Sequence, residues 1–252
     1  MKHLLILNPN TSESVSRLLR VHGQAAAGPQ VRVSVRTAAL GAPYIACEAS
    51  YAVAAYAALA SWADAVQVQA SQPFHAVLIG CFGDPGLFAL RDHSGVPTTG
   101  LAEAALLEAR RHGRFAIVTG GAKWQPMLER LVHNLGLADG LAGIDTVAPS
   151  GAMLAQDPDA AHALLAQACL QAVARYGVQA VILGGAGLAG MAAVIQPMVP
   201  VPVIDSVQAG VRHALVLAEN VPPAAVWAGF DFAWHRVEPA LAAMGRPGAV
   251  AG

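Results

Sequence analysis

A chain of 252 residues can bury a full core, either as one large α/β unit or as two closely packed lobes. Hydrophobic residues make up 55% of it and charged residues only 12%, about half the usual share of charge, so a homo-oligomer is expected to cover part of the surface. The net charge is −1 with no run of Lys or Arg, which argues against nucleic acid and anionic membrane as partners.

HLLIL (3–7) reads as a first parallel strand, closed by the turn Asn8-Pro9-Asn10-Thr11-Ser12. Thr11 or Ser12 can cap the next helix, which runs to about residue 26. The apolar run of MKHLLILNPN is too short for a signal peptide, and a cytoplasmic protein is expected. VRVSVRTA (31–38) alternates like an edge strand, and the Ala-rich residues 44–71 suit a long packed helix. A buried strand is expected at 75–81, followed by Asp84-Pro85 as N-cap and first residue of a short helix. A short strand near 97–101, a helix at 102–111 and a strand at 114–118 come next, the last ending in Thr119-Gly120-Gly121. An amphipathic helix to about 135, a strand at 144–148 and a helix at 157–177 follow. The remainder reads as strands at 178–184 and 200–205, a helix from a Ser206 cap to Glu219, a last strand at 226–230 and a mobile tail, GRPGAVAG.

Two stretches in this order match. AVLIGCFGDPG (76–86) and AVILGGAGLAG (180–190) align Gly80 with Gly184, Gly83 with Gly187 and Gly86 with Gly190. Each is an apolar run that breaks into glycines, as when a buried parallel strand meets a helix. Alternating strands and helices with this repeat predict an α/β fold of two similar doubly wound parallel-sheet lobes related by internal duplication. The expected division is 1–98 plus 207–252 for one lobe and 99–206 for the other. Ligands of open α/β sheets sit beyond the C-terminal strand ends, so the glycine turns should share one cleft between the lobes. Val178 to Ile204 carries no charge over a span long enough for a bilayer. Its glycines and prolines favour strand, turn, short helix and strand instead.

The main chemical difference inside the repeat is Cys81 in one copy against Gly185 in the other. A thiol in a glycine turn at a helix head is expected to be exposed to the cleft with a lowered pKa. Cys47 and Cys169 lie in Ala-rich helical stretches and read as core. Three cysteines without C-x-x-C argue against a disulfide scaffold and a zinc ribbon, and the nine scattered histidines suggest no metal site. Gly185, Gly187 and Gly190 also form G-x-G-x-x-G after a strand, with Asp205 at the end of the next one. That leaves an NAD-binding dehydrogenase as a competing reading, weakened by the late position and the broken first copy.

LILNPNTS, IGCFGDPGL, VTGGAKWQPMLERLV and VILGGAGLAG followed by PVPVIDS together resemble the aspartate/glutamate/hydantoin racemase superfamily, its hydantoin and allantoin racemases above all. The resemblance implies a cofactor-independent enzyme acting on a small-molecule substrate, of hydantoin or carboxylate type, at a carbon α to a carbonyl. Two cysteines serve opposite faces of the substrate in that family. Here Cys81 matches the first and Gly185 stands where the second belongs. By resemblance, Asn10, Phe82, Gly83, Thr119, Gly120, Gly185 and Ala186 surround the substrate. One thiol leaves three readings: a racemase lacking its second cysteine, a single-face enzyme such as an arylmalonate-type decarboxylase, or a ligand-binding member.

Overall fold

The computed structural model describes residues 1–68, 73–148, 158–220 and 230–245. Among these residues eight strands form two four-stranded parallel sheets. The first contains β1 (Lys2–Asn8), β2 (Val31–Thr37), β3 (Ala76–Ile79) and β4 (Thr98–Gly100), in the order β2-β1-β3-β4. The second contains β5 (Phe115–Gly120), β6 (Leu141–Val147), β7 (Ala180–Gly184) and β8 (Val203–Asp205), in the order β6-β5-β7-β8. Each sheet repeats the other's strand order, and the matched stretches supply β3 and β7, the same interior position in each. Every residue of β3 and β7 is buried, as parallel strands covered on both faces require. The two-lobed α/β architecture expected from the duplication is the one observed.

Two helices interlock the sheets. α4 (Leu101–Arg110) follows β4 yet packs on β7 of the other sheet, while α8 (Ser206–Asn220) follows β8 and packs on β3. The two also pack on each other. Their apolar faces join Leu78, Leu101, Ile182, Ile204, Val207 and Val211 in one buried cluster fed by both lobes. A second cluster lies on the outer face of the second sheet, under α6 (Pro158–Tyr176) and the short α7 (Met191–Ile195), and holds the fully buried Cys169.

Several expectations need correction. The helix expected over 44–71 is α2 (Glu48–Val68), because Tyr44 and Ile45 turn into the cleft before it starts. Cys47 is therefore half-buried just ahead of α2, with Ser50 Oγ accepting from its N–H at 3.0 Å, and is not core. Asp84 does not cap the following helix, α3 (Leu87–His93), whose N-cap is Gly86. Ser206 is the first residue of α8, and the group that caps that helix is Asp205, whose Oδ1 accepts from the N–H of Val207 at 2.8 Å and of Gln208 at 3.1 Å. By contrast, Ser12 caps α1 (Glu13–Ala27) as expected, accepting from Val15 N–H. The stretch 178–204 is strand, turn, short helix and strand, and among the described residues no helix is long and apolar enough to cross a membrane. Most of the strand expected at 226–230, and of the tail, lies outside the described residues; Phe230 makes an isolated bridge to Gly245. Residue 157 and residues 69–71, the expected ends of two helices, also lie outside them.

Because one cluster spans both sheets, chemical denaturation is expected to give a single cooperative transition. Leu78→Ala, which empties a fully buried position on β3, should lower the stability of the whole chain by about 2–5 kcal/mol. Separate transitions for the lobes, with only one moved by the substitution, would contradict this.

Candidate active site

Both glycine turns open into one cavity of about 60 Å³ between the lobes. Cys81 and Phe82, just past β3, form one wall, and Gly184 through Leu188, at the end of β7, form the opposite one. The turn after β1 contributes Asn10, and the C-terminal end of β5 contributes Thr119 and Gly120. The structure therefore brings Asn10, Cys81, Phe82, Thr119, Gly120, Gly185 and Ala186 together. Gly83 is not among the lining residues. It sits behind the wall, where its carbonyl accepts the Tyr51 hydroxyl at 2.7 Å.

Hydrogen bonds within the second lobe hold its wall in place. Thr119 Oγ1 donates to the carbonyl of Gly184 at 2.8 Å, and Gly185 N–H donates to Ser206 Oγ at 3.2 Å. Asn10 Oδ1 accepts from Ser12 N–H at 2.9 Å, fixing the turn after β1. The Phe82 ring fills the space against Gly184, where an added Cβ would lie 2.3 Å from the ring. Gly185 differs: an added Cβ would meet only Leu188, at 3.5 Å, but its φ of +143° is one that L side chains rarely adopt. The position opposite Cys81 thus has room for a side chain and a backbone shaped for none.

The electrostatics of Cys81 reverse the sequence expectation. The thiol is buried, and burial pushes its pKa well above the ordinary range, with the Asp84 carboxylate adding to the rise. No long helix starts at the turn to oppose this, since α3 begins only at Leu87 and is seven residues long. Cys81 is consequently protonated in the resting site, and its thiolate is a strong base when formed. Cys47 shows the opposite behaviour. Hydrogen bonds from the Ser50 backbone and side chain hold its thiol below the usual range, and the Lys123 charge contributes last.

Two aromatic residues that the sequence reading did not mark complete the site. Tyr44, from the loop after β2, donates its hydroxyl to the carbonyl of Gly120 at 3.1 Å and so reaches from one lobe to the other. Trp124, the first residue of α5 (Trp124–Asn134), lines the cavity beside it. Val15, Ile45 and Leu188 make the remaining side-chain surface apolar. Tyr44 is a lone aromatic beside Gly41 and Pro43, and Trp124 lies three residues past the Gly120-Gly121 pair. Those were the available signals. Both Asp205 oxygens are already engaged by the protein: Oδ2 accepts from Gly190 N–H at 2.7 Å and Oδ1 caps α8. The glycine run at 185–190 is thereby tied to the protein itself, against the dinucleotide reading.

The fold and the cleft define a two-lobed α/β protein with a single buried thiol between glycine turns. Residues 4–214 match the model of the Asp/Glu/Hydantoin racemase family, and the chain belongs to that family. It is 30% identical over 216 residues to the hydantoin racemase of Pseudomonas sp. (strain NS671), covering 85% of each protein. The allantoin racemase of Klebsiella pneumoniae superposes with a TM-score of 0.80 at 28% identity, over 89% of this chain and 91% of that one. The allantoin racemase of Pseudomonas fluorescens gives a TM-score of 0.82 at 25% identity, over 89% and 94%.

Gly185→Ala should fold but lose about 1–2 kcal/mol, since the space is free and only the backbone is strained; an unchanged denaturation midpoint would contradict the positive φ. Iodoacetamide at neutral pH should modify Cys47 at least about tenfold faster than Cys81 or Cys169. Peptide mass spectrometry would show the order, and prior labelling of Cys81 would refute the burial argument.

Proposed function

We propose that the protein is a cofactor-independent enzyme acting on a small molecule, hydantoin-, allantoin- or amino-acid-like, at a carbon α to a carbonyl. Cys81 is its acid/base residue. The observation that carries this reading is the lone thiol facing Gly184–Leu188, a wall with no ionisable side chain. The thiolate removes the α-proton, and the electron pair passes into the carbonyl as an enolate. The same sulfur, now a thiol, returns a proton to the same face. Racemisation needs a donor on the other face, and position 185 offers none. The proposal accordingly predicts exchange that is one-sided. The related reading that the lone thiol also favours is decarboxylation of a malonate-type acid, in which Cys81 only protonates the resulting enolate. The scarcity of charge favours a homo-oligomer as the working form. The protein is taken to be cytoplasmic, and the internal repeat divides its lobes at 1–98 plus 207–252 and 99–206.

The test is one enantiomer of a 5-substituted hydantoin in deuterated buffer, followed by proton NMR and polarimetry. Deuterium uptake with configuration largely retained is expected, and Cys81→Ser should slow it by about a thousandfold or more. Because the base is a thiolate of raised pKa, the rate should climb from about pH 7 to about pH 9. Equal uptake by Cys81→Ser would reject the assignment, and carbon dioxide release from an arylmalonate without hydantoin exchange would favour the decarboxylase.

A further inference from the structure

Asp84 is a buried carboxylate that the chemistry above leaves unused. It lies three residues beyond Cys81, is only 2% exposed and adopts a φ of +52°, unusual for a residue other than glycine. Both its oxygens are engaged away from the cleft. Oδ1 accepts from Ala102 N–H at 2.9 Å and Oδ2 from Glu103 N–H at 2.7 Å, both in the first turn of α4. Its own N–H donates to the Cys81 carbonyl at 3.1 Å, and its carbonyl accepts from Leu87 N–H at 3.1 Å. Gly100, at the end of β4, leaves the space the carboxylate occupies, since a Cβ there would lie 2.0 Å from the Asp84 carboxyl carbon.

The second lobe carries the same brace with its direction reversed. Asp205, from the strand end, accepts from Gly190 N–H in the glycine turn as well as from the head of α8. In each lobe one carboxylate ties the cleft turn to the helix that follows the sheet's last strand. Those helices, α4 and α8, are also the ones that lock the lobes together.

We infer that Asp84 is a positioning residue for Cys81, its carboxylate clamping the Cys81–Gly86 turn onto the head of α4 and setting where the thiol sits in the cleft. Its charge adds a second effect. Burial raises the Asp84 carboxyl, the two backbone N–H bonds from α4 oppose the rise and the Glu103 charge adds to it, leaving it pushed up to about 7. Glu103 is itself held by Arg91 at 2.6 Å and by the Thr99 hydroxyl at 2.7 Å. Tyr51 of α2 and Arg130 of α5 line the same outer cavity as Asp84. Once ionised, Asp84 faces Cys81 as a like charge and opposes formation of the thiolate.

The test reads thiol chemistry rather than turnover, so it stands apart from the choice of substrate. In a Cys47→Ser background, iodoacetamide modification of Cys81 is followed against pH by peptide mass spectrometry. Asp84→Asn removes the charge and turns an amide N–H against a backbone N–H. The midpoint of the Cys81 profile should then fall by about one pH unit or more. Asp205→Asn releases the other glycine turn and should leave the profile where it was. An unmoved profile in folded Asp84→Asn, or an equal shift in both variants, would overturn the inference. Should Asp84→Asn not fold, the protein with Asp84 intact still decides. Its logarithmic rate should flatten near about pH 7, where Asp84 ionises, and a straight profile through that region would overturn the inference.

Discussion

The exchange of α4 and α8 between the two sheets is the constraint on which the site depends. A parallel sheet must bury both faces, and here the inner face of each is covered in part by a helix that follows the last strand of the other. The arrangement fuses the two lobes into one apolar cluster and turns the C-terminal ends of β3 and β7 toward each other. Cys81 and Gly185 face across the cavity because the strands behind them hold equivalent places in two sheets of the same order.

That cavity is narrow, mostly apolar in its side chains and free of charged side chains among its lining residues. Burial raises the thiol pKa and strengthens electrostatic interactions inside the cavity. The glycine turns cannot all serve a ligand. Gly185 N–H is bonded to Ser206 and Gly190 N–H to Asp205, so these turn amides hold the protein together instead. The walls are further fastened by Tyr44 to Gly120 and by Thr119 to Gly184, bonds that join elements far apart in the chain.

The strands and the duplication were legible because buried parallel strands are continuous apolar runs, and because glycines at matched intervals mark the same turn twice. The site was legible wherever it lies on those turns. What escaped the reading depended on distance in the chain or on solvent access. Nothing local shows that Asp84 reaches past α3 to Ala102 and Glu103, or that Ser206 spends its hydroxyl on Gly185. Cys81 looked like an activated thiol from its neighbours, but its pKa is set by burial, which residue types alone do not reveal. Cys47 looked like core from its Ala-rich context, yet it precedes the helix and remains partly exposed. Tyr44 and Trp124 enter from a loop and a helix start, where no periodicity points inward.

The proposed one-sided chemistry depends most directly on what position 185 withholds. The decisive measurement is the racemisation rate of a 5-substituted hydantoin by Gly185→Cys beside that of the protein carrying Gly185. A thiol opposite Cys81 should supply the missing face, so the variant is expected to racemise far faster, at some loss of stability from the φ of +143°. If the protein with Gly185 racemises as fast as the variant, the one-sided mechanism is wrong and another group delivers the second proton.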